Sequence, residues 1–493
     1  MFLGIDLGTS EVKALLMNRA GLVISVARAP LQVMRPFPRW SEQSPDEWWR
    51  ATLVAIDHVR ARHPKEFAAL DGIGLSGQMH GATLLDRADR PLRPAILWND
   101  TRSDAQCAEL VKRAPRLEEI SGNRAMPGFT APKLLWVAEN EPQTFEQVAC
   151  VLLPKDYVRL CLTGDKVSDM SDASGTLWLD VAERSWSPEL LEATGLGHEQ
   201  MPGLVEGNAP SGNLRRELAV RWGIRQSVTV AGGAGDNAAS AIGIGAVAPG
   251  DGFTSLGTSG VVFVVNDGFR PNPRSGVHTF CHAIPNRWHQ MSVMLSAASC
   301  LSWIVRLTGA SGEHSLLKEV AALEDQKKFQ APLFLPYLSG ERTPHNDPYA
   351  QGVFFGLTHD TGRAALGYAV LEGVAFGLAD GLDALGAAGS DLTAVSLVGG
   401  GARSVEWAQT IADVVNKPVH THEFGEAGAA IGAARLAQMA CGDADDLLCV
   451  RPPTEATFFP RAKLRPILEE RLERYRALYR ATKSLFANVR SLE

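Results

Sequence analysis

Two carboxylates stand where phosphate chemistry could use them. Asp6 opens the pentapeptide Asp6-Leu7-Gly8-Thr9-Ser10, and Asp236 follows the run Gly232-Gly233-Ala234-Gly235 and precedes Asn237. Half a chain later the pentapeptide returns as Ser255-Leu256-Gly257-Thr258-Ser259, without its Asp. A glycine bend beside two hydroxyl residues, set between apolar runs, reads as strand, tight turn, strand. Such a turn offers N–H groups and hydroxyls to an anion, and two of them facing each other would grip a nucleoside triphosphate. Asp236, on a glycine-rich bend at a strand end, could take the proton of an alcohol and aim its oxygen at a γ-phosphate. The same Asp could serve as a helix N-cap, and the two uses are compatible. A further loop, Val398-Gly399-Gly400-Gly401-Ala402-Arg403, strips side chains from a bend, as close approach of a ligand requires. Neither a Rossmann GxGxxG nor a Walker A sequence is present in these loops.

Alternating strands and helices must carry these loops, so an α/β class is expected. Strands are predicted over 72–75, 95–98, 228–231 and 395–398 (Val395 to Val398), helices over 238–244, 363–387, 405–415 and 425–439, and an amphipathic helix over 464–486. Ser44-Pro45-Asp46-Glu47 reads as a capped helix start with a capping box. The Gly-Ala-Pro-rich stretch 244–251 separates the halves. The expected division is 1–246, 247–445 and a tail, 446–493, with a hinge near 244–252.

With 48 basic and 55 acidic residues the net charge is −7, which argues against nucleic-acid or anionic-membrane partners. No apolar run reaches the roughly 18 residues of a membrane span, and Asp6 interrupts a signal-peptide reading. The seven cysteines are scattered, without CxxC spacing, and are expected to be reduced thiols in a cytoplasmic protein.

The order and spacing of the Asp6, Asp236, Ser255–Gly260 and Gly399–Arg403 segments resemble the FGGY carbohydrate kinases. The segments Met126 to Trp136 and Gly352 to Glu372 are similar to that family's N- and C-terminal patterns. Within the family, Gly77-Gln78-Met79-His80-Gly81, Trp98-Asn99-Asp100-Thr101-Arg102, Leu153 to Tyr157 and Phe334 to His345 resemble the bacterial members that phosphorylate D-xylulose.

The resemblance implies a two-lobed, actin-like (ribonuclease H-like) ATPase fold with a nucleotide cleft between the lobes. It implies ATP as co-substrate, Mg²⁺ held by Asp6 and Asp236, and Asp236 as general base toward the sugar O5 hydroxyl. Gly8, Thr9, Ser10, Gly257, Thr258 and Ser259 would hold the phosphates, and Gly400 and Gly401 would flank the adenosine. Met79, His80, Asp236 and Asn237 would hold the sugar, although packing alone could account for Met79 and His80. A homodimer is a family-level expectation. Glu11, just past the first turn, is expected to point away from the triphosphate by strand alternation.

Overall fold

The computed structural model of the protein describes residues 1–423, 428–443 and 448–487. Phe2–Leu7 (β1) and Glu11–Met17 (β2) form the first hairpin, followed by Val23–Pro30 (β3), Pro45–Arg62 (α1) and Gly72–Gly77 (β4). Pro154–Thr163 (α2), Pro210–Asn213 (β5), Thr229–Ala231 (β6) and Asp236–Ile244 (α3) complete the named elements of the first half. The second half comprises Gly252–Leu256 (β7), Gly260–Asn266 (β8), His278–Cys281 (β9), Trp288–Met294 (β10), Arg363–Ala387 (α4), Val395–Val398 (β11) and Val405–Val415 (α5). Val419–His422 (β12), Gly428–Ala440 (α6), Thr454–Phe458 (β13) and Arg465–Ala487 (α7) follow.

Each half builds a seven-stranded sheet, in the order β5-β6-β4-β1-β2-β3 and β9-β10-β8-β7-β11-β12-β13, with Ala234–Gly235 adding a short pairing to β4. The two follow one plan. A hairpin (β1/β2, β7/β8) has a third antiparallel strand on one side and two parallel strands and an antiparallel edge on the other. The repeat in sequence is therefore a repeat in topology. Its register shifts by one: Leu7 pairs with Val12, but Leu256 pairs with Gly260, so the second turn is one residue shorter.

The halves are joined by more than the connecting segment. α6, from the second half, lies on the first sheet, where the cross-strand pair Gly4 and Gly74 leaves room for its backbone. A Cβ on Gly74 would stand 1.8 Å from the Ala433 carbonyl oxygen, and one on Gly4 would stand 2.0 Å from that of Ala430. α3 packs on α6 with similarly bare contacts at Gly243 and Gly432. Gly74→Ala should therefore push α6 off the sheet and cost about 2–3 kcal/mol, the upper range for overpacking. Urea unfolding that shows a change under ~0.5 kcal/mol would contradict this packing account.

α4 is the one described helix long and apolar enough to cross a membrane, and 83% of its most apolar window is buried inside the protein. It is the core helix of the second lobe. α7 closes over it: Arg471 pairs with the buried Glu372 at 2.5 Å, and the Tyr475 and Tyr337 hydroxyls meet at 2.8 Å. Its outward residues include the exposed Glu469, Glu470 and Glu473, a solvated face as the charge pattern predicts.

The start of α1 departs from expectation. Ser44 precedes the helix but its side chain caps nothing, and Glu47 bonds Arg50 instead, at 2.5 Å. The nearby guanidinium outcompetes a backbone N–H for that carboxylate. The helix predicted over 425–439 is seen from Gly428; residues 425–427 lie outside the described part.

Candidate active site

A 410 Å³ cavity opens between the lobes. Asp6, Gly8, Lys13, Asp236 and Asn237 form one wall, and Ser255, Gly399 and Gly400 stand on the other. Asp6 sits near the end of β1, where the parallel neighbour β4 places the Ser76 hydroxyl 3.2 Å away as a donor. Its cross-strand partner is Lys13, whose ammonium lies 3.8 Å from the carboxylate. Burial raises the Asp6 pKa, and Lys13 opposes that rise. Glu11 does not turn to the far face. It shares a face with Lys13, two residues on, and its carboxylate is held by Arg28 at 3.2 Å and Lys13 at 3.6 Å. The two cations offset the charge that strand alternation was expected to remove.

Asp236 is the first residue of α3, with Gly235 in the capping position, so the carboxylate is not the cap. Its Oδ1 accepts from the Asn237 backbone N–H at 2.7 Å and side-chain amide at 2.8 Å. Burial first, and then the charge of Asp6, push its pKa up to about 7. A carboxyl poised there can be a base at neutral pH. Its loop is braced from below: the Arg159 guanidinium donates to the carbonyls of Ala231 and Gly232, and the Gly235 N–H donates to the Ser171 hydroxyl at 3.1 Å.

The first glycine turn, Gly8 to Ser10, is tied to its surroundings. The Thr9 hydroxyl accepts from the Trp98 indole at 3.0 Å and donates to Gln78 at 3.1 Å, so its proton is already committed. Gln78 in turn donates to Gln43, which donates to the Thr9 carbonyl at 2.7 Å. Ser10 is exposed at the turn. In the second turn the Gly257 N–H closes on Ser259, and the Thr258 carbonyl accepts from Ala297 and from the Ser299 hydroxyl. Gly399, with φ +89°, lets the third loop bend beside Leu256, and Gly401 lies buried against the Leu256 side chain while Gly400 faces the cavity.

His80 adopts φ +68° and places Nδ1 2.6 Å from the Gly175 carbonyl. That contact requires Nδ1–H, which leaves Nε2 as an acceptor. Burial lowers its pKa to about 3, so the ring stays neutral. Met79 is buried against Gly235 and Gly175, behind the base loop. Sequence reasoning missed Lys13, Trp98 and Gln78 as members of the site. Lys13 could be found only from the β1/β2 register, which sets it opposite Asp6.

Residues 1–243 match the N-terminal domain, and residues 252–441 the C-terminal domain, of the FGGY family of carbohydrate kinases. The chain belongs to this family. It is 50% identical to the xylulose kinase of Escherichia coli (strain K12), over 99% of this chain and 100% of that one. It is 52% identical to the xylulose kinase of Klebsiella pneumoniae, over 90% of this chain and 91% of its relative. The crystal structure of a kinase from Brucella ovis, named as a xyloylose kinase, superposes with a TM-score of 0.95 at 54% identity, covering 98% of this chain and 99% of that one. The fold is thus the two-domain α/β fold of the actin-like ATPase type, and the protein is a sugar kinase with ATP as co-substrate.

Proposed function

We propose that the protein transfers the γ-phosphoryl group of ATP to O5 of D-xylulose, yielding D-xylulose 5-phosphate and ADP. The observation that carries this reading is Asp236, a carboxyl of pKa about 7 facing a cleft whose walls carry Asp6 and Gly8 of the first repeat and Ser255 of the second. Near-full-length identity of 50% to a xylulose kinase supports the sugar. Asp236 accepts the O5 proton while O5 forms its bond to Pγ, and the bond from Pγ to the β–γ bridging oxygen breaks with its electron pair left on ADP. A carboxylate is a weak base for an alcohol, so proton transfer is late and most of the acceleration comes from alignment and charge neutralisation.

Asn237 fixes the Asp236 carboxylate through two hydrogen bonds, and the His80 Nε2 accepts from a sugar hydroxyl. Gly8, Ser10, Gly257, Thr258 and Ser259 hold the phosphates, Lys13 adds positive charge beside them, and Gly400 meets the adenosine. Thr9 contributes through its backbone, since its hydroxyl proton goes to Gln78. Gly401 shapes the adenosine loop from beneath. Two buried carboxylates with raised pKa values, of which only Asp6 has an ion pair (with Lys13) among the described residues, suit a divalent cation that takes oxygen ligands and keeps several waters. Asp6 and Asp236 would hold Mg²⁺, which would neutralise charge on the phosphates. We assign the kinase domains to 1–246 and 247–445 and the tail to 446–493. The protein's seven free thiols support a cytoplasmic setting.

ADP release measured against D-xylulose, D-ribulose, L-xylulose, pentitols and glycerol tests the reading. The highest kcat/KM is expected with D-xylulose. A preference for another sugar overturns the substrate assignment, and no release with any of them overturns catalysis itself.

A further inference from the structure

The stretch Phe334 to His345 has no part in the mechanism so far, yet it holds an unusual cation. Arg342 is only partly exposed, and its guanidinium makes no hydrogen bond or ion pair with any described residue. The adjacent carboxyl is not its counter-ion. Glu341 Oε1 accepts the backbone N–H groups of Leu295 (3.0 Å) and Arg342 (2.7 Å), and burial pushes its pKa up to about 8, so it is largely neutral at pH 7. The residues on either side are pinned. Thr343 exchanges two hydrogen bonds with Val293 of β10 and donates a third to the Gly276 carbonyl at 2.8 Å. The backbone at Arg342 is therefore fixed while its guanidinium is left without a hydrogen-bond or ion-pair partner among the described residues.

That side chain reaches across to the first lobe. Its Nη2 lies 4.0 Å from where a Cβ on Gly128 would stand, at the wall formed by Gly128 and Trp98. Its charge helps to lower the pKa values of both His80, behind burial and Lys133, and His278, behind burial. His80 and His278 flank Phe129, with ring centroids at 4.6 Å and 5.5 Å. A guanidinium removed from bulk water without a partner is costly, and it presents five donors and no acceptor. The group that would complete it must bring acceptor oxygens to the guanidinium.

We propose that Arg342 is the second lobe's grip on the acceptor sugar: its guanidinium donates to hydroxyl or keto oxygens of the substrate bound beside His80. The sugar then bridges the lobes, with one end at Asp236 and Asn237 of the first half and another at Arg342 of the second. This rests on the sugar-kinase reading above, and it applies to whichever sugar the wild-type enzyme phosphorylates.

The test compares Arg342→Gln and Arg342→Lys with wild type, using the sugar the wild type prefers. The KM for sugar should rise about tenfold or more in Arg342→Gln, and less in Arg342→Lys, which keeps one charged donor. The KM for ATP should change less than about twofold, and ADP binding should report an intact fold. An unchanged sugar KM in both variants overturns the proposal. A rise confined to the ATP KM overturns it too, by moving Arg342 to the triphosphate. Parallel loss of ADP binding in both makes the residue structural and likewise overturns it. If wild type phosphorylates a sugar other than D-xylulose, the substrate assignment fails while Arg342 is still tested on that sugar.

Discussion

Asp236→Ala should lose sugar phosphorylation by about 10²–10⁴-fold in kcat while still binding ATP. Removing the carboxylate deletes the proposed proton acceptor, which Asn237 holds by two hydrogen bonds, but leaves the Gly8-Thr9-Ser10 and Gly257-Thr258-Ser259 turns in place. Retention of more than about a tenth of wild-type turnover, a barrier change of only ~1.4 kcal/mol, would refute the general-base assignment. The pH profile follows from the raised pKa. Below about 7 the free enzyme carries Asp236 protonated and unable to accept, so kcat/KM should fall on the acid side with an apparent pKa near that value.

The same shift predicts a gain in stability. With a folded-state pKa raised from 3.8 to about 7, the folded form binds the extra proton. Asp236 therefore weakens the fold progressively as pH rises from the unfolded pKa through the folded pKa, by an amount on the order of 4 kcal/mol once it is fully ionised. Asp236→Asn removes that penalty. In chelator-treated, nucleotide-free protein its Tm should exceed that of wild type at pH 8, and the difference should nearly vanish at pH 4. A variant no more stable than wild type at pH 8 would show that the carboxyl is not disfavoured by burial.

Much of this site could be read from the chain because its signals are local. Gly8-Thr9-Ser10 and Gly257-Thr258-Ser259 are turn residues between apolar runs, and both lie in the turns of the predicted hairpins, with Gly8 of the first and Ser255, just before the second, on the cavity wall. α5 and α4 fall where their periodicity predicts, at Val405–Val415 and Arg363–Ala387. What was not legible depends on groups distant in sequence. Whether Glu11 faces the cleft depends on its strand's register and on Arg28 in β3. The His80 tautomer is set by a carbonyl 95 residues away. The seating of α6 on the first sheet left only a trace, the glycines at 4, 72 and 74, which as strand residues carry no helix signal. The capping box failed for the converse reason: a local signal lost to an Arg three residues further on.

Lys155→Met should be among the most damaging substitutions away from the cleft. The ammonium is fully buried and meets three carboxylates, Asp156 at 2.6 Å, Asp169 at 2.7 Å and Asp172 at 3.1 Å, all of them also fully buried. Burial, reinforced by Asp156 and Asp169, pushes Asp172 well above the usual carboxylate range, while Lys155 and, more distantly, Arg159 are the cations that face the cluster. Removing Lys155 leaves buried charge without its counter-ion, at a cost of about 3–5 kcal/mol. Without Lys155 to oppose burial, Asp172 would titrate higher still in the folded form, which would bind a proton that the unfolded chain does not. The deficit relative to wild type should therefore shrink as pH falls from 8 to 5. Urea unfolding at the two pH values checks both statements, and a loss under about 1 kcal/mol at pH 8 would contradict the account. The damage should extend to catalysis in the molecules that remain folded. Asp169 accepts the Ser171 hydroxyl proton at 2.5 Å, which turns that oxygen toward the Gly235 N–H beside Asp236. With Asp169 displaced, the base loop loses this brace, and kcat should fall further than the folded fraction does.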